Sequence, residues 1–341
     1  MLKTVPILLA AAAAALAANY SARQTTVEGV EVVILTDATR KTEVTIVPSI
    51  GNMGYEMKVN GKNVLWVPEG GLAKFKAKPT LSGIPFLAPW ANRLERQGFY
   101  ANGKNYLFNM GLGNVRGNIP IHGFLSASPA WKVVEAKADG RSAWVRSRLE
   151  FWKYPDMMAQ FPFAHIIEMI YRLQQGVLQV ETVLQNHSTE PMPVSIGFHP
   201  YFRLAESPRD RWKIRLPVRE HWVLNQSNLP TGEVKQVDFP DPIPLEGRTF
   251  DDVFSGLVRG TDGRAEFSVQ GEKERISVFY GPKYTVCVLW VPKGRDFLCF
   301  EPMAAITNAM NLAHAGVYKE LQSIPPGGQW RESFWIQPSG F

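Results

Sequence analysis

The chain has 341 residues, 45% of them apolar, with 37 Lys and Arg against 31 Asp and Glu and a formal net charge of +6. That is ample for a sizeable core, in one large all-β domain or two smaller ones. The basic residues are scattered, with no basic helix, so nothing points to nucleic-acid binding. Only two cysteines are present, Cys287 and Cys299, which excludes a disulfide-dense scaffold and a four-thiolate zinc site.

At the amino terminus Lys3 precedes an apolar run from Val5 to Ala18, with Ala15-Leu16-Ala17 as a small-residue cleavage pattern. Residues 1–22 are expected to be a secretory signal peptide and residues 23–341 the mature domain, exported to the periplasm or beyond. The run falls short of the roughly 20 residues a spanning helix needs, and no later segment is apolar enough, so no stable membrane span is expected.

From Val30 onward the pattern is short β-type runs separated by turn residues, with almost nothing at helical period. Glu31 to Thr36, Thr42 to Val47, Tyr55 to Val59 and Asn63 to Val67 are candidate strands, the last two joined at Asn60-Gly61. Asn-Gly between apolar runs marks a hairpin, because both residues tolerate positive φ. The same device joins Gly98 to Ala101 with Asn105 to Phe108 through Asn102-Gly103. Between the hairpins, Ile84 to Leu94 is a proline-stiffened apolar loop carrying Arg93, whose fork of donors suits several oxygens of a polar ligand. Gly111 to Asn118 is glycine-rich without phosphate-loop spacing and reads as a flexible loop. Trp131 to Ala136, Ala143 to Phe151, Phe163 to Leu173, Val177 to Gln185, Trp212 to Leu216, Ala265 to Gln270 and Arg275 to Tyr280 continue the strand series.

Two histidines stand out. In Ser195-Ile196-Gly197-Phe198-His199-Pro200-Tyr201-Phe202, read as a strand, Val194, Ile196 and Phe198 face one side and Ser195, Gly197, His199 and Tyr201 the other. The small residues beside His199 predict open space for a ligand, and Pro200 restricts the backbone that sets its ring direction. His122, in Ile121-His122-Gly123-Phe124, repeats the design. His165, His187, His221 and His314 lack that clearance and read as structural. In Thr249-Phe250-Asp251-Asp252-Val253-Phe254 two acids sit in an aromatic frame, as ligand contacts or as solvated turn acids. Glu301 is the only charge between Phe297 and Met303. An unpaired buried carboxylate is costly, and desolvation raises its proton affinity toward that of a general base at neutral pH. If Tyr284 to Val291 and Phe297 to Phe300 form a hairpin symmetric about Lys293, Cys287 lies opposite Cys299, as a disulfide or as two buried thiols. There is no His-Glu-x-x-His, no Cys-x-x-Cys and no Gly-x-Ser-x-Gly, so neither a metal site nor a serine-hydrolase elbow is indicated.

Asn92-Arg93-Leu94 with Gly98-Phe99 and the Asn102-Gly103 hairpin, then His122-Gly123, Gly197 to Phe202, and Phe300-Glu301-Pro302 with Asn308 and Asn311, form an ordered set. In that order the chain resembles the aldose 1-epimerase (galactose mutarotase) family from about residue 30 to 338. The resemblance implies an all-β, antiparallel β-supersandwich, two large sheets face to face, with a sugar in an open cleft. It further implies Glu301 as the base on the anomeric hydroxyl and His199 as the acid on the ring oxygen, about one sugar ring apart. His122, Arg93 and Asn92 would hold sugar oxygens, Asp251 or Asp252 would accept from hydroxyls, and Trp90, Phe198 and Phe300 are candidate cleft aromatics. The implied activity is a cofactor-free and metal-free isomerase for a free aldohexose, acting as a monomer or homodimer. The sequence departs from the best-known members in Gly123-Phe124 and in Ile306-Thr307-Asn308-Ala309. A hexose 6-phosphate epimerase and a non-catalytic carbohydrate-binding sandwich are the alternatives.

Overall fold

A short alternating segment shows how the sequence builds this protein. In the strand Ala143–Glu150 buried and half-buried residues alternate without a break, so Ala143, Val145, Ser147 and Leu149 turn inward while the intervening residues face out. The computed structural model describes residues 19–111 and 115–341. Among these residues the fold is antiparallel β-structure with short helices at Gly71–Ala77, Pro155–Gln160 and Ala309–His314. The apolar run Val5 to Ala18, expected as a signal peptide, lies outside the described residues.

A nine-stranded sheet runs in the order Lys132–Ala138, Ala143–Glu150, His165–Gln174, Val177–Asn186, Gln329–Ser339, Arg275–Tyr280, Ala265–Gln270, Lys213–Arg215 and Ile243–Pro244. An eight-stranded sheet contains, in order, Pro230–Gln236, Glu220–Leu224, Phe250–Ser255, Val286–Val291, Leu298–Met303, Gly197–Phe198 and Phe86–Leu87, and Tyr201–Phe202 also pairs with Leu298–Met303. The two sheets meet through apolar rings: Phe198 lies 4.8 Å from Phe334, and Phe300 5.8 Å from Phe267. Burial of each such side chain stabilises the sandwich by about 1.5–3 kcal/mol. The inner face of the eight-stranded sheet is therefore committed to the core, and the opposite face is left to form a site.

A five-stranded sheet, from Tyr20–Val27 to Lys62–Asn63, covers one end. Val33, Leu35, Val44 and Ile46 enter the main core from it, while Val30, Val32 and Ile34 pack with Leu72 and Phe75 of the first short helix. Its first strand was not legible in the sequence. Tyr20–Val27 is polar and mostly exposed, and pairs with Val30–Asp37 around Glu28 and Gly29, both at positive φ. The strand begins at Tyr20, ahead of the boundary expected at residue 23.

Both Asn-Gly turns close hairpins, with φ of 50° and 80° at Asn60-Gly61 and 52° and 74° at Asn102-Gly103, although the second arm of the first is the two-residue strand Lys62–Asn63 rather than Asn63 to Val67. Two expectations are corrected. The stretch around His199 is not one strand but three short pieces, Met192–Val194, Gly197–Phe198 and Tyr201–Phe202, interrupted where Ser195 bridges to Trp90 and where Pro200 cannot donate to a ladder. In the carboxy-terminal hairpin Cys287 pairs with Pro302 and Cys299 with Trp290, a slip of three residues from symmetry about Lys293. Because the slip is odd, the two thiols face opposite sides of the sheet. Both are free and buried.

Candidate functional site

The ladder that carries Glu301 decides what surrounds it. In Leu298–Met303, Leu298 and Phe300 join the sandwich core while Cys299 and Met303 belong to the clusters on the other face, and Glu301 shares that second face. On the flanking strand pieces, Gly197 pairs with Met303 and Tyr201 with Cys299, so His199, in the gap between them, falls beside Glu301. His199 Nε2 lies 3.3 Å from Glu301 Oε1. The two groups are therefore in contact rather than about one sugar ring apart. The predicted clearance beside His199 is also corrected. A Cβ at Gly197 would stand 2.1 Å from Met303 Sδ and 2.9 Å from the Pro302 carbonyl, so glycine permits close packing there, not an empty space. Gly123 is similar, with the Ala88 carbonyl 2.0 Å from where its Cβ would lie.

The loop from Pro89 to Gln97 brings the second half of the site. Asn92 and His122 both have positive φ, 57° and 62°, and they clasp each other: the His122 N–H donates to the Asn92 carbonyl at 2.9 Å, and the Asn92 N–H donates to His122 Nδ1 at 3.2 Å. An imidazole that accepts at Nδ1 and is neutral carries its proton on Nε2, so His122 is a donor to any ligand oxygen. Asn92 Oδ1 accepts from the Arg93 N–H and from Arg93 Nη1, both at 3.0 Å, which fixes the guanidinium. Arg93 Nη2 lies 3.6 Å from Asp251 Oδ2, and Asn228 Nδ2 donates to that same oxygen at 2.7 Å, leaving Asp251 Oδ1 free of these partners. Asn308 and Asn311 brace the loop from behind. The Asn308 N–H donates to the Arg93 carbonyl at 3.0 Å, and Asn311 Nδ2 donates to Asn308 Oδ1 at 2.9 Å and to the Gly98 carbonyl at 3.1 Å.

Asn92, Arg93, His122, His199, Asp251 and Glu301 line one cavity of about 410 Å³, within the range of small-molecule sites. Trp90 and Asp252 do not. Trp90 is 1% exposed and stacked on Phe108 at 4.4 Å, and Phe198 and Phe300 are core residues as well. Asp252 follows Asp251 on a strand and so faces the other way; His221 Nε2 meets its Oδ1 at 2.8 Å. The aromatic walls are instead Tyr201 and Trp290. Trp290 was missed because the symmetric register places it on the face opposite Glu301, whereas the true register pairs it with Cys299 on the same face. Arg116, from the glycine-rich stretch read as a loop, also lines the cavity; with Val115 it forms a short ladder against Ile119 and Pro120.

Burial governs the electrostatics. It pushes the His199 imidazole down to about 3 from 6.5. It pushes the Glu301 carboxyl well above its usual range, with Asp251 adding to the rise and Arg93 opposing it. His122 falls well below its ordinary value through burial and the neighbouring His199 and Arg93. Burial also lowers the Arg93 guanidinium, with Asp251 acting against the drop. Although the His199 and Glu301 contact has ion-pair geometry, desolvating both charges costs more than their attraction returns, so the resting pair is a protonated carboxyl facing a neutral imidazole. The pair thus holds one transferable proton. Passing it across the contact turns Glu301 into a base and His199 into an acid without any exchange with solvent. His199 Nδ1 and Glu301 Oε2 are buried without protein partners, as expected of groups that a ligand completes. Among the described residues no group of three His, Cys, Asp or Glu side chains is placed to hold a metal ion.

The sequence model of the aldose 1-epimerase family matches residues 34–337. Among solved structures, a galactose mutarotase-like protein from Clostridium acetobutylicum superposes with a TM-score of 0.84 at 21% identity, covering 95% of this chain and 100% of that one. The Slr1438 protein of Synechocystis sp. PCC 6803 gives 0.74 at 26% identity, covering 94% and 99%. A galactose 1-epimerase from Lactobacillus acidophilus NCFM gives 0.71 at 14% identity, over 94% and 99%.

Proposed function

Since this chain belongs to the aldose 1-epimerase family, we propose that it is an isomerase that interconverts the α and β anomers of a free aldohexose by opening and reclosing the ring. The observation that carries the reading is the contact of Glu301 with His199 at 3.3 Å on the wall of a sugar-sized cavity. A binder needs hydrogen-bond partners but not a coupled acid and base. In the reactive form the Glu301 carboxylate takes the proton of the anomeric hydroxyl while the His199 imidazolium gives its proton to the ring oxygen. The bond between C1 and the ring oxygen breaks and an aldehyde forms at C1. Rotation about C1–C2 and reclosure with the proton roles exchanged give the other anomer. His122 Nε2–H and Arg93 donate to sugar oxygens, and Asp251 accepts from a hydroxyl. These donors are fixed before the sugar arrives, which lowers the reorganisation needed at the transition state.

One observation favours a second reading, a hexose 6-phosphate: Arg116 lines the cavity with no carboxylate in ion-pair contact among the described residues. The apolar run from Val5 to Ala18 supports export of the protein and hence a free sugar, because phosphosugars are held in the cytosol. Polarimetry of freshly dissolved aldohexoses and their 6-phosphates, with and without the protein, tests both readings. Acceleration for a free sugar supports the first, acceleration confined to phosphates supports the second, and binding without acceleration means a carbohydrate-binding module.

A further inference from the structure

The ring of Tyr201 lies parallel to the His199 imidazole, with centroids 4.7 Å apart and planes 9° apart. Trp290 stands edge-on to both, 5.4 Å from His199 at 87° and 5.9 Å from Tyr201 at 86°. Phe297 closes on Tyr201 at 5.1 Å. The backbone leaves Tyr201 little freedom: its N–H donates to the Gly83 carbonyl at 2.9 Å, its carbonyl accepts from Trp66 at 2.9 Å, and it pairs with Cys299. Tyr201 is 4% exposed and His199 6%, so little of the stack meets solvent.

We propose that Tyr201 is a positioning residue for proton transfer by His199: its ring holds the imidazole plane against Glu301 and its π face stabilises the imidazolium. The proposal rests on the mutarotase reading above. A parallel aromatic ring gives a neutral imidazole mainly dispersion, but it gives an imidazolium a cation–π attraction as well, stronger where water is excluded. Only such a difference between resting and reacting states speeds the step. The stack therefore offsets part of the burial that keeps His199 neutral at rest, and does so without a second carboxylate that would hold the proton. Other charged or titratable groups also face this pair. Glu301 and Cys299 come from Leu298–Met303, Arg93 and Asp251 from their own segments, and Arg116 and His122 from the stretch between the loops, with the His122 ring 5.5 Å from His199. None of them changes when one aromatic ring replaces another at position 201, which is what makes the ring's own contribution separable.

The test replaces Tyr201 first by Phe and then by mono-, di- and trifluorinated phenylalanine, which keep the shape of the ring while draining its π face. Anomer exchange is followed by NMR. With Tyr201→Phe as the reference, the fluorinated series is expected to lower kcat stepwise to about tenfold below Phe with KM within about twofold of the Phe variant. Tyr201→Leu, where it folds, should fall at least as far. A flat fluorine series, or a Phe variant already as slow as the trifluorinated one, overturns the proposal, because the ring's electrons would then carry no part of the rate. If the parent chain interconverts no anomer, the mutarotase reading fails instead. The stack is then judged on the protein without sugar by following the His199 ring ¹⁵N shifts against pH, where an imidazolium that forms at the same pH in the Phe and trifluorinated variants counts against it.

Discussion

Replacing Glu301 by Gln separates two descriptions of the buried pair, one in which it holds a proton and one in which it holds none. Gln matches the size and polarity of a protonated carboxyl but cannot take or lose a proton. In the folded chain burial holds the Glu301 carboxyl protonated well above 4.5, whereas in the unfolded chain it ionises near that value. Above pH 4.5 the folded state therefore binds one proton more than the unfolded state at this residue. Stability from this group is fully present below pH 4.5 and is lost as pH rises toward the folded value, by up to about 1.4 kcal/mol per pH unit. His199 acts in the opposite sense. Its folded value near 3 against 6.5 unfolded means stability is present above 6.5 and lost as pH falls through that window. Between 4.5 and 6.5 the two slopes cancel within the pair, and above 6.5 the Glu301 slope stands alone. Glu301→Gln should therefore match the parent near pH 4.5 and gain on it steadily at higher pH. Denaturant midpoints of parent and variant at several values from pH 5 to 8 read the difference directly, since groups common to both cancel. A variant that is less stable than the parent by a constant amount across that range would show the carboxylate ionised beside a neutral imidazole, and the one-proton description would be wrong.

Four further outcomes are expected. Asp251→Asn should raise KM about 10-fold with a smaller effect on kcat, because the carboxylate touches Arg93 and a hydroxyl but no reacting atom; steady-state anomer exchange decides, and an unchanged KM would remove Asp251 from the sugar. Gly197→Ala should cost about 1–3 kcal/mol of stability, since its Cβ would meet Met303 and the Pro302 carbonyl, and thermal unfolding that leaves the midpoint unmoved contradicts the packing. Cys287 and Cys299 should react with a thiol reagent only after unfolding, both being fully buried, so two fast equivalents in native protein would refute the structure there. Amino-terminal sequencing of exported protein should find Met1 to Ala17 or Ala22 removed, the earlier cut leaving Tyr20–Val27 whole, and an intact Met1 on a soluble cytosolic pool would count against export.

The fold was legible where chemistry is local. Asn60-Gly61 and Asn102-Gly103 fixed their hairpins because each residue tolerates positive φ on its own. Ala143–Glu150 announced a half-buried strand by its alternation. Tyr20–Val27 did not, since a mostly exposed strand carries no apolar period to read. In the site, Glu301 could be found because one charge in an apolar run needs a partner, and the partner proves to be His199. The glycines beside the histidines were read as open space for a ligand, whereas Met303 and the Ala88 carbonyl, which come from distant sequence, pack against them. Asp251 and Asp252 look alike in sequence and differ only in which sheet face they occupy, while Trp290 was hidden by a register that no local rule determines.

The most direct measurement is exchange between the C1 protons of the α and β anomers of a panel of free aldohexoses, recorded by NMR with the parent chain and with Glu301→Gln. The expected result is clear acceleration by the parent for at least one sugar and a loss of about 10²- to 10⁴-fold in the variant, the usual contribution of one general base, with sugar affinity largely kept. A Glu301→Gln variant that interconverts anomers as fast as the parent would contradict the role given to the Glu301 and His199 pair.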